Sequence, residues 1–226
     1  LEQTISLSGK SKSTLNSYGA HLAKAAIHFN HLPTKVDSNK INEYLYHLQQ
    51  TYQSASDSYF KFTVYGLRFV YKMEGLDGKY ISLPSIKREK KLPVVLSRNE
   101  VKRLIAAPKL LKHKVLIGLL YGCGLRCFEV RNVQLSDLDF DRAILHVRQG
   151  KGKKDRYVPL SHILMDWLKL YITSENANTW LFNGRPNGSA GGDFDSRYSN
   201  RGVFWAVKQA AKTGGIIKNI SVHTLR

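Results

Sequence analysis

Between Ile81 and Val95 the hydrophobic periodicity of the chain stops. Pro84 and Pro93 bracket Lys87, Arg88, Lys90 and Lys91, and no apolar spacing of helical or strand type runs through the stretch. Proline biases its preceding residue toward extended backbone, so a basic segment of this kind belongs neither to a helix nor to a core. It is either a spacer or a strap across a phosphate backbone. The chain therefore divides into residues 1–80, a basic linker 81–95, and residues 96–226.

Residues 1–80 repeat with the helical period. Ser13 can cap a helix through Leu15, Tyr18, Leu22, Ala25, Ala26 and Phe29, ended by His31-Leu32-Pro33. Asp37 or Ser38 opens a second helix with Ile41, Leu45 and Leu48 on one face. A third runs from about Ser54 to Met73 through Tyr59, Phe62, Tyr65, Phe69 and Val70, and Gly75 and Gly78 close it. The tyrosines here sit at core spacing, with contact to DNA as the alternative.

Residues 96–226 mix periods. Ser97-Arg98-Asn99-Glu100 is a capping box, so a helix starts there and runs to near Pro108. An apolar helix, about Leu110 to Tyr121, is broken by Gly122 and Gly124, and a short helix follows Arg126 and ends by Asn132. Ala143–Val147 and Arg156–Leu160 are β-rich and flank Gly150-Lys151-Gly152 as in a hairpin. Helix returns at Ile163–Tyr171 and about Val203–Lys212. The loop Asn183–Asn200, rich in Gly, Asn, Asp and Ser, is long enough to be mobile or functional. The expected fold is mainly α with a small β-sheet: a helical first domain and a mixed α+β second one.

Thirty-five Lys and Arg against 17 Asp and Glu give a net charge of +18. Residues 1–91 carry 13 basic and 7 acidic groups, and residues 92–226 carry 22 and 10. A field of that sign favours a polyanion, nucleic acid above all, against the plainer alternative of a lysine-rich surface. No apolar run approaches the ~20 residues that span a bilayer, and no signal peptide opens the chain. The two cysteines, Cys123 and Cys127, have neither metal nor redox spacing and read as small hydrophobes in a reducing cytoplasm. The histidines show no zinc-ligand spacing.

Three motifs carry cations that suit chemistry. Arg126 follows Gly124-Leu125 on a tight turn at a helix start, and its fork matches two phosphate oxygens. Glu129, three residues on and on the same face, can orient Arg126 or another cation; the alternative is an ordinary helix-start pair. Lys151 sits at the hairpin tip, either as a solvated turn or as a general acid for a leaving oxygen. In Ser221-Val222-His223-Thr224-Leu225-Arg226, Ser221 reads as an N-cap, with His223 and Arg226 on one helical face. Brought together, two arginines, a lysine and a histidine make a site for one phosphodiester.

In order and spacing these motifs resemble those of the tyrosine recombinases, the phage integrases and Xer-type recombinases. The matching residues are Gly124-Leu125-Arg126-x-x-Glu129, Leu135-x-x-x-Asp139, Gly150-Lys151-Gly152-x-Lys154-x-Arg156-x-Val158-Pro159-Leu160 and His223-x-Leu225-Arg226. Lys91-Leu92-Pro93 before the Ser97 capping box resembles the family's entry into its catalytic domain. Residues 1–80 look like its core-binding, SAM-like DNA-binding domain. Type IB topoisomerases use similar residues, but the short boxes and the small first domain favour the recombinases.

The resemblance implies that Arg126 and Arg226 clamp the scissile phosphate, that Lys151 protonates the leaving 5′ oxygen, and that His223 assists proton transfer with the nucleophile. Glu129 occupies the supporting acidic position. Lys87, Arg88, Lys90, Lys91, Lys153, Lys154 and Arg156 are expected to contact DNA. The implied partner is double-stranded DNA, with a parent protein assembled as a tetramer on two DNA sites, no membrane, and a bacterial, nucleoid-associated cytoplasmic location. The implied reaction cuts and rejoins DNA through a 3′-phosphotyrosyl link without metal or ATP. The family's nucleophile tyrosine follows the His-x-x-Arg box, whereas all 12 tyrosines here lie at or before Tyr198. The expectation is therefore a catalytic domain incomplete at its C-terminus, with no nucleophile in the chain and no activity by itself. The alternative is a shortened, non-catalytic regulator that occupies recombination sites.

Overall fold

A computed structural model describes residues 9, 11–51, 57–76, 78, 81, 92–148, 154–175, 179–184 and 196–226. Contacts divide the chain into two units, Leu1–Lys90 and Lys91–Arg226. As the patterning predicts, the described residues are mainly helical, with one three-stranded sheet.

Among the described residues, the first unit packs three helices. Helix α1 (Lys12–Phe29) is capped by Ser11, not Ser13: Ser11 is extended, and its hydroxyl accepts the Thr14 N–H at 3.2 Å. The helix ends one turn before Pro33, at Asn30, whose φ of 52° is left-handed. Asparagine tolerates that region better than most residues. Pro33 opens a 3₁₀ turn, Pro33–Lys35. Helix α2 (Ser38–Thr51) buries Ile41, Tyr44, Leu45 and Leu48, and Asp37 accepts the Asn39 N–H at 2.8 Å. Helix α3 is Asp57–Met73; its expected start near Ser54 lies outside the described residues.

The buried stripe of α3 is not the expected one. Phe60, Val64, Leu67 and Tyr71 face the core, while Phe62 and Tyr65 are exposed. Both stripes keep helical spacing, so the helix is apolar nearly all round and periodicity alone cannot orient it. Ile81, where the expected linker begins, is fully buried in this first core, and Arg68 donates to its carbonyl.

In the second unit, the capping box of α4 (Arg98–Ala106) forms as predicted: Ser97 accepts the Glu100 N–H, and Glu100 accepts the Ser97 N–H at 2.7 Å. Helix α5 (Leu111–Gly122) is the central strut, with Val115 to Leu120 all buried. Helix α7 (His162–Glu175) approaches it so closely that a methyl on Gly118 would lie 3.0 Å from a Leu164 methyl. Between them run α6 (Cys127–Arg131) and the antiparallel strands β1 (Leu138–Asp139), β2 (Ile144–Val147) and β3 (Arg156–Pro159), in the order β1-β2-β3. The two-residue β1 has no sequence signal of its own; it forms by pairing Leu138 with Leu145 and Asp139 with Ile144. Helix α8 (Asn200–Thr213) is capped by Ser199 and, like α7, extends beyond its apolar stripe at both ends. The last element, Val222–Leu225, is a 3₁₀ turn rather than the expected α-helix.

Candidate functional site

The Arg126 turn is built by the end of α5. Gly124 has φ +59°, a left-handed conformation that side chains disfavour, and this reverses the chain after Cys123. Leu125 then plugs into the core, 1% exposed, and Arg126 stands in extended backbone as the residue before α6.

Beneath it lies Glu129, one of the few buried charged residues, at 4% exposure. It accepts the Arg126 backbone N–H at 2.8 Å and the Arg126 guanidinium at 2.7 Å. It also accepts two hydrogen bonds from Arg156, at 2.9 Å each and one to each oxygen. Burial pushes the Glu129 carboxyl up, but the hydrogen bonds from Arg156 and Arg126 overcome it and hold the group down at about 2.

Arg156 reaches Glu129 because of strand register. Val147 pairs with Arg156 and Leu145 with Val158, so Arg156 shares the inward face of β3 with Val158. Arg148, just past β2, similarly pairs with buried Asp137, which also accepts the Gln134 N–H at 2.9 Å. Both roots of the hairpin are thus tied to buried carboxylates. Sequence reasoning missed these anchors; for Arg156, an arginine in the parity of the inward face of a strand was the signal available.

His223 lies in the final 3₁₀ turn and Arg226 caps it three residues on, its N–H donating to the His223 carbonyl at 3.4 Å, a spacing that brings side chains to one face of such a turn. Both are exposed. The turn starts where the Thr224 hydroxyl accepts the Ser221 N–H at 3.0 Å. The Arg226 side chain passes over Gly124, its Cγ 3.8 Å from where a β-carbon on Gly124 would sit. The turn's approach is moored by Lys218, which donates to Glu100 at 2.8 Å and to the Val95 carbonyl at 2.9 Å.

Arg126, Glu129, Arg156 and Arg226 are therefore drawn around one turn. Lys154 is exposed. Lys87, Arg88, Lys90, Lys91, Lys151 and Lys153 lie outside the described residues.

Residues 94–226 match the sequence model of the phage integrase family. The chain belongs to this family of tyrosine recombinases. It is similar to the tyrosine recombinase XerA of Pyrococcus horikoshii, 31% identical over 223 residues, covering 98% of this chain and 74% of that protein. It is 31% identical over 190 residues to the tyrosine recombinase XerD of Pseudomonas aeruginosa, covering 79% of this chain and 62% of that protein. The crystal structure of XerA recombinase aligns with a TM-score of 0.53 at 25% identity, over 99% of this chain and 78% of that one. A lambda integrase tetramer bound to a Holliday junction shares the fold, with a TM-score of 0.72 at 15% identity, over 99% of this chain and 68% of that one.

Three of the described tyrosines are engaged in packing or hydrogen bonding away from the Arg126 turn. Tyr71 and Tyr171 are buried in the two cores. The Tyr198 hydroxyl lies 3.1 Å from His113 Nε2, and burial pushes its pKa up, away from a phenolate nucleophile. Tyr121 and Tyr157 are exposed. Cys123 is buried, its thiol pushed up to about 11, and Cys127 is raised as well, so neither favours a reactive thiolate. Among the described residues no cluster of His, Cys, Asp or Glu could hold a metal, and no helix is long and apolar enough to cross a membrane.

Proposed function

We propose that this chain is the DNA-binding part of a site-specific recombinase, and that Arg126 and Arg226 grip the scissile phosphodiester between them. The observation that carries the proposal is the Arg226 side chain lying across Gly124, two residues before Arg126. A phosphodiester under attack gathers negative charge on its equatorial oxygens, and fixed guanidinium groups stabilise that charge without a metal. His223, on the same face of the turn as Arg226, assists proton transfer to or from the nucleophile. Lys151 protonates the leaving 5′ oxygen. The bond energy is conserved in a 3′-phosphotyrosyl link, so rejoining needs no ATP.

Double-stranded DNA is the partner this reading requires. The net charge of +18 supports it, as do the family's relatives, among them XerH solved bound to its difH substrate. The lambda integrase tetramer on a Holliday junction supports assembly on paired DNA sites. None of the twelve tyrosines serves as nucleophile in this proposal, Tyr198 being tied to His113 and raised in pKa. In this reading the helical unit at residues 1–80 and the basic stretch 81–95 supply further contacts to the duplex.

A gel-shift series in salt tests this. With six or more phosphates contacted, affinity should fall ~10³-fold or more between 50 and 200 mM salt. Salt-insensitive binding would reject the DNA clamp. On a nicked suicide substrate, the 226 residues should form no covalent adduct. An adduct abolished by Tyr198→Phe, Tyr121→Phe or Tyr157→Phe would identify a nucleophile within them.

A further inference from the structure

We propose that Arg156 is a positioning residue for Arg126: through Glu129 it fixes the Arg126 guanidinium and keeps the charge of Arg126 available to a phosphate. This rests on the phosphodiester reading of Arg126.

A carboxylate offers about four acceptor positions. All four of Glu129 are taken, two by the Arg156 fork and two by the backbone N–H and guanidinium of Arg126. The charged groups that face Glu129 are Arg126 on its own turn and Arg156 on β3. Two cations and one anion leave the cluster with one net positive charge. Removing Arg156 would leave Glu129 with Arg126 alone. That pair is neutral, so the field presented to an incoming anion would largely vanish, and one edge of the buried carboxylate would be unsatisfied.

Geometry adds to charge. A bidentate fork fixes the plane of the carboxylate, which in turn fixes where the Arg126 guanidinium points. Lysine in place of Arg156 would keep the charge but could not span both oxygens. The arrangement also ties β3, the return strand of the hairpin, to the Arg126 turn. Arg156 acts here by facing inward, not as one more contact to the duplex backbone.

The test titrates inorganic phosphate into the 226-residue chain and follows the Nε–H signals of Arg126 and Arg226 by NMR. Between about pH 3.5 and 5.5 phosphate is a monoanion while ordinary carboxylates titrate. In the native chain Glu129 stays ionised across this window, so its own titration contributes nothing to the affinity. In Arg156→Gln the Glu129 carboxyl returns toward its usual range. Phosphate should then bind roughly tenfold more weakly at pH 5.5, and recover relative to the native chain as falling pH protonates Glu129. Arg156→Lys should bind with intermediate weakness.

Native affinity in Arg156→Lys would overturn the proposal. So would a loss in Arg156→Gln with no recovery in acid, since a direct phosphate contact or a general charge effect predicts that pattern. Should Arg156→Gln fail to fold, the lysine variant decides alone. If phosphate moves neither arginine signal in the native chain, the phosphodiester reading itself falls, an outcome distinct from failure of the Arg156 role.

Discussion

Arg126 and Arg226 are the same residue in the same proposed role, yet the chain holds them in opposite ways. Arg126 rests on a buried carboxylate that a second arginine fixes from behind. Arg226 is exposed at the end of a 3₁₀ turn, its side chain lying over a glycine, and no ion pair to it is found among the described residues. In the proposed clamp the Arg126 half is set by Glu129 before any ligand arrives, and the Arg226 half is placed by the backbone of its turn. Preorganised charge is worth more in a transition state because it need not reorganise.

The largest test of this contrast is stability. Glu129→Ala leaves two arginines facing each other around a buried gap and should cost ~3–5 kcal/mol in urea unfolding. Arg226→Ala should stay within about 0.5 kcal/mol. Comparable losses from the two would erase the distinction between the two halves. The acid limb has a definite sign. The folded Glu129 carboxyl, at about 2, lies below its ordinary 4.5. Its stabilisation is therefore complete above about pH 4.5 and lost as pH falls toward 2. Native unfolding curves should weaken across that window.

Next in size is Gly124→Ala, at the point where the two halves meet. A side chain at φ +59° should cost ~1–2 kcal/mol. The added methyl sits in ordinary contact with Arg226 Cγ, so the loss should come from the backbone and not from a clash. Gly124→Asn, which tolerates the left-handed region, should recover part of it. Equal losses for the two variants would point to sterics instead.

How much of this was legible in sequence depended on whether a feature was local. The Ser97 capping box, the antiparallel pairing of β2 with β3 and the apolar α5 follow from residues close in the chain, and they form as read. The orientation of α3 was not legible, because Phe60-Val64-Leu67-Tyr71 and Tyr59-Phe62-Tyr65-Phe69 both keep helical spacing and only packing against α1 and α2 chooses. β1 was invisible because its two residues become a strand only by pairing with β2. Arg156 is the instructive case. Its charge carries the expectation of a DNA contact, and its place on the inward face of β3 brings it to a buried acid 27 residues earlier in the chain. Strand parity carried that information, and net charge obscured it.

The smallest expected effect concerns the mooring of the Arg226 half. Lys218, the Ser97 N–H and the Ser97 hydroxyl hold the Glu100 carboxyl down at about 2. Lys218→Ala should let Glu100 move back toward its usual range and speed amide exchange at residues 219–226, with little change in overall stability because the pair is at the surface. Unchanged exchange would mean that the core residues Val222 and Leu225 hold the turn without help.

A double-mutant cycle with Arg126→Ala and Arg226→Ala, read by inorganic phosphate affinity in calorimetry on all four proteins, tests the clamp most directly. If both guanidinium groups bind one phosphate, the two losses should be non-additive by roughly 1 kcal/mol or more. Losses that simply add would mean two separate anion sites, and would contradict the shared clamp.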